Sequence, residues 1–520
     1  MPLADRWTSY GMAQPSVAAG WSFEALVGPS VLGGANGIVE HRGRLLVTQV
    51  FGSQVTSIDT SSGEHIVFAP MGAGISAPDD GVFGEDGTFF ATEPMNATVS
   101  ARNPDGTYRT LRDDLPGING ITMDRARRRL FADEFRPGGR LWELDPSGEK
   151  APTLLLDELV TPNALAVGPD GALWFPAVAA GEIWRYDLET RTARCMFGGL
   201  ASPVAVKFDS LGRLVTPQSG TGEVTRIDLT TGAREVIATA ARGLDNLALS
   251  PDDRLFVSHF TDGRVAEWGS SGERVLSPSG LVGPFGLAVS ADGSILVADG
   301  LSVALVRDGE VVRTHTLLHD LPTLAVDVAI VSGEPWVLGA SGQVLRCAVG
   351  SPATVVAGHL VSPTSLVADR DGGALVVEKS AGRVVRIPPG GGEVVAIVSG
   401  LHRPHSLALA ADGAMWITTA DALVCVQPDG AVRSTVASLA GGQGVAVGGD
   451  GSVLVALPDQ RRLVLHRPGG TDAVTVEGVP VGAAVSGAVI PFARSAVVAA
   501  GEDWLVGCGG DGSIRRLRRR

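Results

Sequence analysis

The chain has few of the features that mark nucleic-acid-binding or membrane proteins. Three lysines stand against 39 arginines, and the 520 residues carry a formal net charge of −14. Apart from Arg515 to Arg520, which a solvated strand end explains, no basic cluster is present. No run approaches the roughly 18 apolar residues of a membrane span, and Met1 to Gly20 lacks the apolar core of a signal peptide. We therefore expect a cytoplasmic protein with a small-molecule substrate, no nucleic acid and no membrane partner.

Cysteine is also scarce. The chain has four cysteines, which are far apart and form no CxxC pair. This usage is typical of reduced, mostly buried thiols and argues against a disulfide framework or a zinc site. The four residues are Cys195, Cys347, Cys425 and Cys508.

A repeat organises the chain. Thr161 to Leu188 reads as three strands, with Asp170-Gly171 supplying the tight hairpin turn between the first two. Similar phrases recur roughly every forty residues, the length of a four-stranded propeller blade. Twelve copies predict two six-bladed propellers. The copies begin at Gly34, Ala77, Gly117, Thr161, Ser202, Gly243, Gly283, Leu324, Ser362, Arg403, Gly441 and Ala493.

The ends of the repeat array predict how the rings close. The last third-strand phrase begins at Gly512 and has no fourth strand after it, while Trp21 to Val27 is a fourth strand without a blade. An open sheet edge invites aggregation, so these strands need partners. The simplest closure adds 21–27 to the sixth blade and 274–277 to the twelfth.

This closure predicts an all-β protein with two six-bladed β-propellers in tandem, each closed by an N-terminal fourth strand that completes its last blade. The predicted divisions are a tail at 1–20, a first propeller at 21–270 and a second at 271–520. In the alternative, 21–27 closes the twelfth blade, giving a single ring or an interleaved pair.

Two rings of polar residues are predicted at one mouth of the first propeller. Consecutive strands are antiparallel, so the start of each innermost strand and the end of each second strand share a face. The first ring is Asn36, Asp80, Asn119, Asn163, Val204 and Asp245, and the second is Gln49, Glu93, Glu134, Ala177, Gln218 and His259. Of these, Asn36, Gln49 and Gln218 are predicted to line the substrate site. The second propeller has a mixed lining, so we expect the chemistry in the first.

Carboxylate and carboxamide oxygens that converge without cysteine suit a hard cation such as Ca²⁺, Mg²⁺ or Mn²⁺. Simpler roles compete with this interpretation. Asn and Asp at strand starts often cap turns, and a single ring histidine is often structural. Glu93 and Glu134 also fit solvated rim positions.

The phrases PDGALWF and PNALAV resemble the gluconolactonase and senescence-marker (SMP-30) family, the streptogramin lyases and the NHL-type propellers. The family's metal-site phrases resemble the segments around Asp80, Asn119 and Asp245. With Asn163, the resemblance implies a divalent metal held by Asp80, Asn119, Asn163 and Asp245. The family's first-blade Glu has no counterpart, because Asn36 stands in its place.

The resemblance to streptogramin lyases implies a histidine base. Those enzymes pair an inner-ring His with a Glu in the same blade, and Asp245 and His259 have these positions with acid and imidazole exchanged. A neighbouring carboxylate would fix one imidazole tautomer and raise its basicity. In the second propeller, His405 has the lyase His position and Glu378 is its nearest candidate partner.

Three functions are consistent with these patterns. The first is a metal-dependent hydrolase of a lactone or related ester, with Glu134, Glu93 or His259 transferring the proton. The second is a lyase or cyclase that acts on a small natural-product-like substrate with His259 as base. The third is a non-catalytic double propeller that binds a ligand or a protein.

Overall fold

The computed structural model describes residues 15–481 and 495–520, and these form an all-β structure of short antiparallel sheets. The predicted all-β propeller architecture is confirmed. Four short 3-10 helices occur in the described residues, at Pro94–Asn96, Val178–Ala180, Ala437–Leu439 and Pro458–Gln460. None of the described helices has the length and apolar character that crossing a membrane requires.

The chain divides into two compact units, and the first spans Val31–Ser279 among the described residues. It contains six sheets, each built from four consecutive strands. The strands are β3 (Ile38–His41), β4 (Arg44–Gln49), β5 (Gln54–Asp59), β6 (His65–Ala69), β7 (Gly81–Phe83), β8 (Phe89–Glu93), β9 (Thr98–Arg102), β10 (Tyr108–Arg112), β11 (Ile118–Asp124), β12 (Arg129–Glu134), β13 (Pro137–Leu144), β14 (Thr153–Val160), β15 (Ala166–Val167), β16 (Leu173–Ala177), β17 (Glu182–Asp187), β18 (Thr192–Phe197), β19 (Lys207–Phe208), β20 (Leu214–Gln218), β21 (Glu223–Ile227), β22 (Arg234–Thr239), β23 (Leu244–Leu249), β24 (Leu255–His259), β25 (Val265–Gly269) and β26 (Gly272–Ser277).

The second unit combines the described residues before Val31 with those from Gly280 onward. It also has six sheets, two of which include strands from the beginning of the chain. The strands are β1 (Ser16–Val17), β2 (Trp21–Val27), β27 (Gly286–Val289), β28 (Ile295–Ala298), β29 (Ser302–Arg307), β30 (Glu310–Thr316), β31 (Ala325–Val331), β32 (Glu334–Gly339), β33 (Gln343–Arg346), β34 (Thr354–Ala357), β35 (Pro363–Ala368), β36 (Ala374–Glu378), β37 (Arg383–Ile387), β38 (Val395–Val398), β39 (Ser406–Leu409), β40 (Met415–Thr418), β41 (Leu423–Val426), β42 (Val432–Val436), β43 (Gly444–Val447), β44 (Val453–Leu457), β45 (Arg462–His466), β46 (Ala473–Glu477), β47 (Val497–Ala500), β48 (Asp503–Cys508) and β49 (Ser513–Arg519).

Each unit closes on itself as a ring. In the first unit, the last innermost strand β23 contacts the first one, β3, and in the second unit β47 contacts β27. The first ring is sealed by hydrogen bonds from Ser258 Oγ to the Asn36 carbonyl at 2.6 Å and from Ala35 N to the His259 carbonyl at 3.2 Å. The innermost strands therefore surround a channel in each unit.

The predicted closure is wrong in both units. Strand β2 pairs with β49 in the twelfth blade, and β26 pairs with β25 in the sixth. The predicted division between residues 270 and 271 falls in the hairpin turn between Gly269 and Gly272, which face each other in the ladder. A short hairpin closes at little entropic cost, so the sixth blade takes its own fourth strand. The first unit therefore needs no strand from elsewhere.

The predicted tail also contains structure. Ser16 and Val17 pair with Glu477 and Val476 as a fifth strand on the eleventh blade. The strand ladder thus assigns the segment before Val31 to the second unit rather than to the first. Residues 1–14, and Ala493 at the predicted start of the twelfth copy, lie outside the described residues.

Apolar clusters between neighbouring sheets hold each ring together. Between the fourth and fifth blades, Trp174 packs edge-on against Phe208 at 5.8 Å between ring centroids, beside the buried Ile183 and Ile227. The alternation of side chains along each strand sends one set of residues to each neighbouring blade. This packing fixes the innermost strands and therefore the residues at the channel mouths.

Strand β2 offers a direct test of the closure. Val27 is buried in the core of the twelfth blade, whereas Ala25 on the same strand is exposed. We expect Val27→Asp to lower the free energy of unfolding by about 3 kcal/mol, because it buries an unpaired charge. Hydrogen exchange should then show faster exchange of the β49 amides, with β11 in the first unit unchanged. Ala25→Asp is the matched control, and equal exchange in β49 of both variants would contradict this closure.

Candidate active site

The backbone register identifies the residues at the mouth of the first unit. Asn36 N donates to Thr48 O at 2.9 Å, Asp79 N to Thr92 O at 2.9 Å and Val204 N to Pro217 O at 3.1 Å. These bonds align the blades at the start of the innermost strands. By this register, the residues that we call the mouth ring are Asn36, Asp79, Asn119, Asn163, Val204 and Asp245. Asp79 therefore occupies the place for which Asp80 was predicted.

Asp80 has a structural role. Its Oδ1 accepts the Gly81 amide at 2.9 Å and its Oδ2 accepts the Ile121 amide of the next blade at 3.2 Å. The same arrangement occurs in the second unit, where Asp327 accepts the Leu366 amide of the following blade at 2.7 Å. Asp80 is only 2% exposed. It is thus an inter-blade connector rather than a group presented to substrate.

The mouth ring brings two carboxyl groups, those of Asp79 and Asp245, within electrostatic range. Removal from water raises the pKa of Asp79 to about 7, with a further contribution from the Asp80 charge, while a hydrogen bond from Asn119 opposes the shift. Burial also raises the pKa of Asp245 well above its usual range, and the charges of Asp79 and Asp80 add to this effect. The pair therefore retains a proton near neutral pH.

Two carboxamides hold Asp79 in place. Asn36 Nδ2 donates to Asp79 Oδ1 at 3.3 Å, and the Asn119 side chain also bonds to this carboxyl group. The Asn119 Oδ1 atom is buried and has no hydrogen-bond partner among the described residues. Asn163 bonds to the amide that follows it, at 2.8 Å to Ala164 N. The ring thus combines one carboxyl pair with neutral hydrogen-bonding groups.

Two further ionisable residues of this channel, Asp133 and Lys207, were not predicted from the sequence. Asp133 is completely buried and accepts the Gly120 amide at 3.1 Å, and burial raises its pKa to about 8. Lys207 is half-buried on β19, and its charge lowers the pKa of Asp80 against the effect of burial. Lys207 forms no hydrogen bond or ion pair within the described parts of the chain. Its cation partly balances the carboxylates of this channel.

The predicted second ring connects loops to strands. Gln49 Oε1 accepts the Gly33 amide at 2.9 Å, and Gln218 Oε1 accepts the Ala201 amide at 2.7 Å. Each of these glutamines also donates to a threonine on the adjacent strand. Glu378 in the second unit makes the same connection to the Val361 amide at 2.6 Å. The carboxamide groups of Gln49 and Gln218 therefore form hydrogen bonds within the protein.

Glu93 and Glu134 are buried rather than solvated rim residues. Glu134 is 0% exposed, accepts the Trp142 indole N–H at 2.9 Å and is paired with Arg136. Glu93 is 3% exposed, and burial raises its pKa although the Ser76 amide bonds to it. Neither group belongs to the mouth ring. The contacts of Glu134 indicate a structural role, whereas Glu93 Oε1 is buried with no hydrogen-bond partner among the described residues.

Both histidine candidates are buried, and their pairing with Asp245 and with Glu378 stays a prediction. His259 is 1% exposed and is paired with Leu244 across β23 and β24, so the ladder does not place it opposite Asp245. In the second unit, Glu378 is paired with Arg383 and the Val361 amide. His405 is buried, and its carbonyl accepts Thr364 Oγ1 at 2.7 Å.

The four residues predicted to hold a divalent metal do not form one set of available oxygens. Asp80 uses both carboxylate oxygens on backbone amides, and Asn163 uses its oxygen on Ala164 N. Of the four predicted metal ligands, only Asn119 and Asp245 do not accept a backbone amide in this way. No cluster of three or more His, Cys, Asp or Glu side chains suited to a metal occurs in residues 15–481 and 495–520. Asp80 therefore does not line the mouth together with the other three predicted ligands.

A thermal-shift experiment tests this conclusion. We expect Ca²⁺, Mg²⁺ or Mn²⁺ to leave the melting temperature of the chelator-treated protein unchanged, because a specifically bound cation would raise it. A shift that grows with pH and disappears in Asp79→Asn would contradict the conclusion. Such a result would mean that a cation displaces the proton held by the Asp79 and Asp245 pair.

No model of a known protein family matches the chain. A virginiamycin B lyase from Nocardia farcinica (strain IFM 10152) is 31% identical over 197 residues, which cover 34% of this chain and 63% of the lyase. The chain thus matches less than two thirds of this relative's length.

Solved structures of similar architecture include a streptogramin B lyase, with 19% identity and a TM-score of 0.39 over 54% of this chain and 94% of that one. A virginiamycin B lyase from Staphylococcus aureus has 16% identity and a TM-score of 0.38 over 59% and 100% of the two chains. The calcium-binding protein regucalcin from Agrobacterium tumefaciens strain C58 has 19% identity and a TM-score of 0.37 over 47% and 86%. At these values the likeness says nothing about activity. The sequence match to the Nocardia lyase confirms the predicted resemblance to the SMP-30, gluconolactonase and streptogramin-lyase propeller superfamily.

Proposed function

We propose that the protein is a lyase that acts on a small natural-product-like molecule at the mouth ring of the first unit. The observation that carries the proposal is the pair of carboxyl groups of Asp79 and Asp245, which share one mouth with three carboxamides. The reaction class comes from the sequence similarity to a virginiamycin B lyase. Hydrolysis of a lactone or ester is the alternative for the same site.

The carboxyl pair supplies both groups that an elimination requires. A base must remove a proton beside an activating group, and an acid must protonate the leaving group. Two carboxyls held close together do not ionise independently, so one can act as base while the other carries the proton. Asn36 and Asn119 orient Asp79 for this role. The proposal gives no proton-transfer role to His259, Glu93 or Glu134.

The experiment that tests the proposal is turnover of virginiamycin B, with a panel of lactones and aryl esters, in isotopically labelled water. An elimination breaks the bond without adding water, so the product should contain no labelled oxygen. Incorporation of one labelled oxygen would replace the proposal with hydrolysis. Specific binding of panel compounds without any turnover would support a binding propeller and overturn the enzyme assignment.

The pH profile is expected to be bell-shaped. Activity should rise as the base of the pair loses its proton near pH 7, the range to which the pKa of Asp79 is raised. It should fall at higher pH when the second carboxyl ionises, because the pKa of Asp245 is also raised. In Asp245→Asn, the like charge is removed, so the rising limb should move to lower pH. A rising limb that stays in place in this variant would contradict the coupling.

A further inference from the structure

The first unit has an open cavity on the face opposite to the mouth ring. The mouth ring lies where the innermost strands begin, and each of these strands ends in a hairpin turn on the other face. The turns that follow β3, β7, β11 and β23 line the cavity, whose volume is about 780 Å³. These turns belong to the first, second, third and sixth blades. The cavity is therefore separate from the candidate active site.

Arg254 is the cation of this cavity that already has carboxylate partners. Its Nε atom donates to Glu267 Oε1 at 2.7 Å, and its Nη2 atom donates to the Thr60 carbonyl at 3.2 Å. The pKa of Arg254 is raised, chiefly by its hydrogen bonds to Glu267, and the charges of Asp252 and Glu40 add to this effect. Two of the three carboxylates that line the cavity thus act on Arg254.

Arg42 and Arg125 also line the cavity, and they have no carboxylate partner. Both are exposed, and neither side chain forms a hydrogen bond or ion pair within the described parts of the chain. The third lining carboxylate, Glu85, is instead paired with Arg128, at 2.9 Å between Oε2 and Nε. The guanidinium groups of Arg42 and Arg125 are therefore available to an anion.

His41 shows that the two arginines act on the same space. Burial lowers the pKa of His41, and the charges of Arg42 and Arg125 lower it further, against a smaller opposing effect of Glu40. The imidazole stacks on the Phe83 ring with 4.0 Å between the ring centroids and an angle of 22° between the planes. This stacking holds the His41 ring at the wall of the cavity, beside the two guanidinium groups.

The cavity is larger than a bare anion requires. Its volume lies within the range of roughly 300 to 1,000 Å³ that is typical of small-molecule sites. Pro251 is exposed on its wall, and the carbon stems of the arginine side chains add apolar surface. The site thus offers two free cations together with room for the organic part of a ligand.

We propose that this cavity binds a small organic phosphate whose phosphate group pairs with Arg42 and Arg125. A phosphate monoester carries about 1.5 to 2 negative charges at pH 7, which matches two arginine cations. The planar guanidinium group also pairs with phosphate oxygens through two hydrogen bonds at once. The organic part of the ligand lies in the remaining volume, on the side of Pro251. The site does not depend on the function proposed for the mouth ring.

The test measures the binding of phenyl phosphate to the full-length protein by isothermal titration calorimetry at neutral pH. We expect Arg42→Gln and Arg125→Gln each to weaken binding at least about tenfold. Arg127→Gln is the matched control, because Arg127 is in the same hairpin turn as Arg125 but is paired with Asp124 at 2.9 Å. Absence of saturable binding, or an equal loss in the control, would overturn the proposal.

Two smaller probes separate the phosphate group from the organic part. Inorganic phosphate should bind more weakly than phenyl phosphate, because it leaves most of the cavity unfilled, and phenol should not bind. Phenol that binds as tightly as phenyl phosphate would overturn the role of the arginines. Inorganic phosphate that binds as tightly would overturn the assignment of an organic ligand.

The His41 imidazole provides an independent measurement of where the ligand binds. An anion beside the ring favours the protonated imidazole, so saturating phenyl phosphate should raise the pKa of His41 in an NMR titration. The same concentration of phenol should leave that pKa unchanged. A His41 pKa that phenyl phosphate does not move would mean that the phosphate binds elsewhere, and the site would be wrong.

Discussion

Asp79→Asn is expected to reduce the proposed lyase activity, measured with virginiamycin B, by about a hundredfold or more. The substitution keeps the shape of the side chain and its place beside Asn36 and Asn119, but it removes the carboxylate that takes the proton. Proton transfer by a positioned side chain contributes about 10² to 10⁴ to rates. The loss should be in kcat, because the amide can still make the ground-state contacts.

The control for this variant is Gln218→Glu in the predicted second ring. Gln218 lies at the same mouth, but its carboxamide bonds to Ala201 N and Thr225. We expect a change in stability and little change in kcat. A kcat that is unaffected by Asp79→Asn, or equally reduced in both variants, would remove Asp79 from the reaction.

Asp80→Ala is expected to lower the free energy of unfolding by about 3 kcal/mol. The carboxylate of Asp80 bonds to the amides of Gly81 and Ile121, and removing it leaves both buried donors unpaired. Thermal or denaturant unfolding measures the effect.

The neighbouring Asp79→Ala provides the matched comparison. The pKa of Asp79 is raised in the folded protein. Asp79 therefore lowers the free energy of unfolding as the pH rises from the unfolded-state pKa toward the folded value of about 7. At pH 8, removing Asp79 therefore relieves repulsion from Asp80 and Asp245, and stability should be unchanged or increased. Equal losses of stability in the two alanine variants would contradict the different roles assigned to these adjacent acids.

Much of the fold could be predicted from the repeat, because turn residues and alternating apolar strands recur in nearly every blade. The pairing of strands that closes the two rings could not be predicted from the repeat. In the sequence, Gly269 to Gly272 has the composition of a linker, and its function as a hairpin turn depends on the pairing of β25 with β26. The choice between two edge partners for β2 also depends on long-range pairing, which a local pattern does not encode.

The site could be predicted in position but not in every residue. Asp79 and Asp80 are adjacent acids, and a shift of one residue in a strand changes the face to which a side chain points. A usable signal was present, because Pro78, Pro162 and Pro203 each come directly before a mouth-ring residue. This shared proline would have selected Asp79 rather than Asp80.

Other roles were hidden because they depend on partners from distant strands. Gln49 and Glu378 look like exposed polar residues of a ring, but each accepts an amide from the loop that enters its own blade. Asp133 has the same position on its strand as Thr48, Thr92 and Ser258 on theirs. Its burial is therefore caused by the packing of the blades around the ring and not by its neighbours in the sequence. In the sequence, Lys207 stands out only as one of three lysines.

The most direct test of the central claim is a carboxyl NMR titration of Asp79 in the wild-type protein and in Asp245→Asn. In the wild-type protein, we expect Asp79 to titrate near pH 7. In the variant its pKa should fall, because one like charge is removed from the mouth ring. A titration of Asp79 near its ordinary value of about 4, unchanged by Asp245→Asn, would contradict the coupled carboxyl pair and the function built on it.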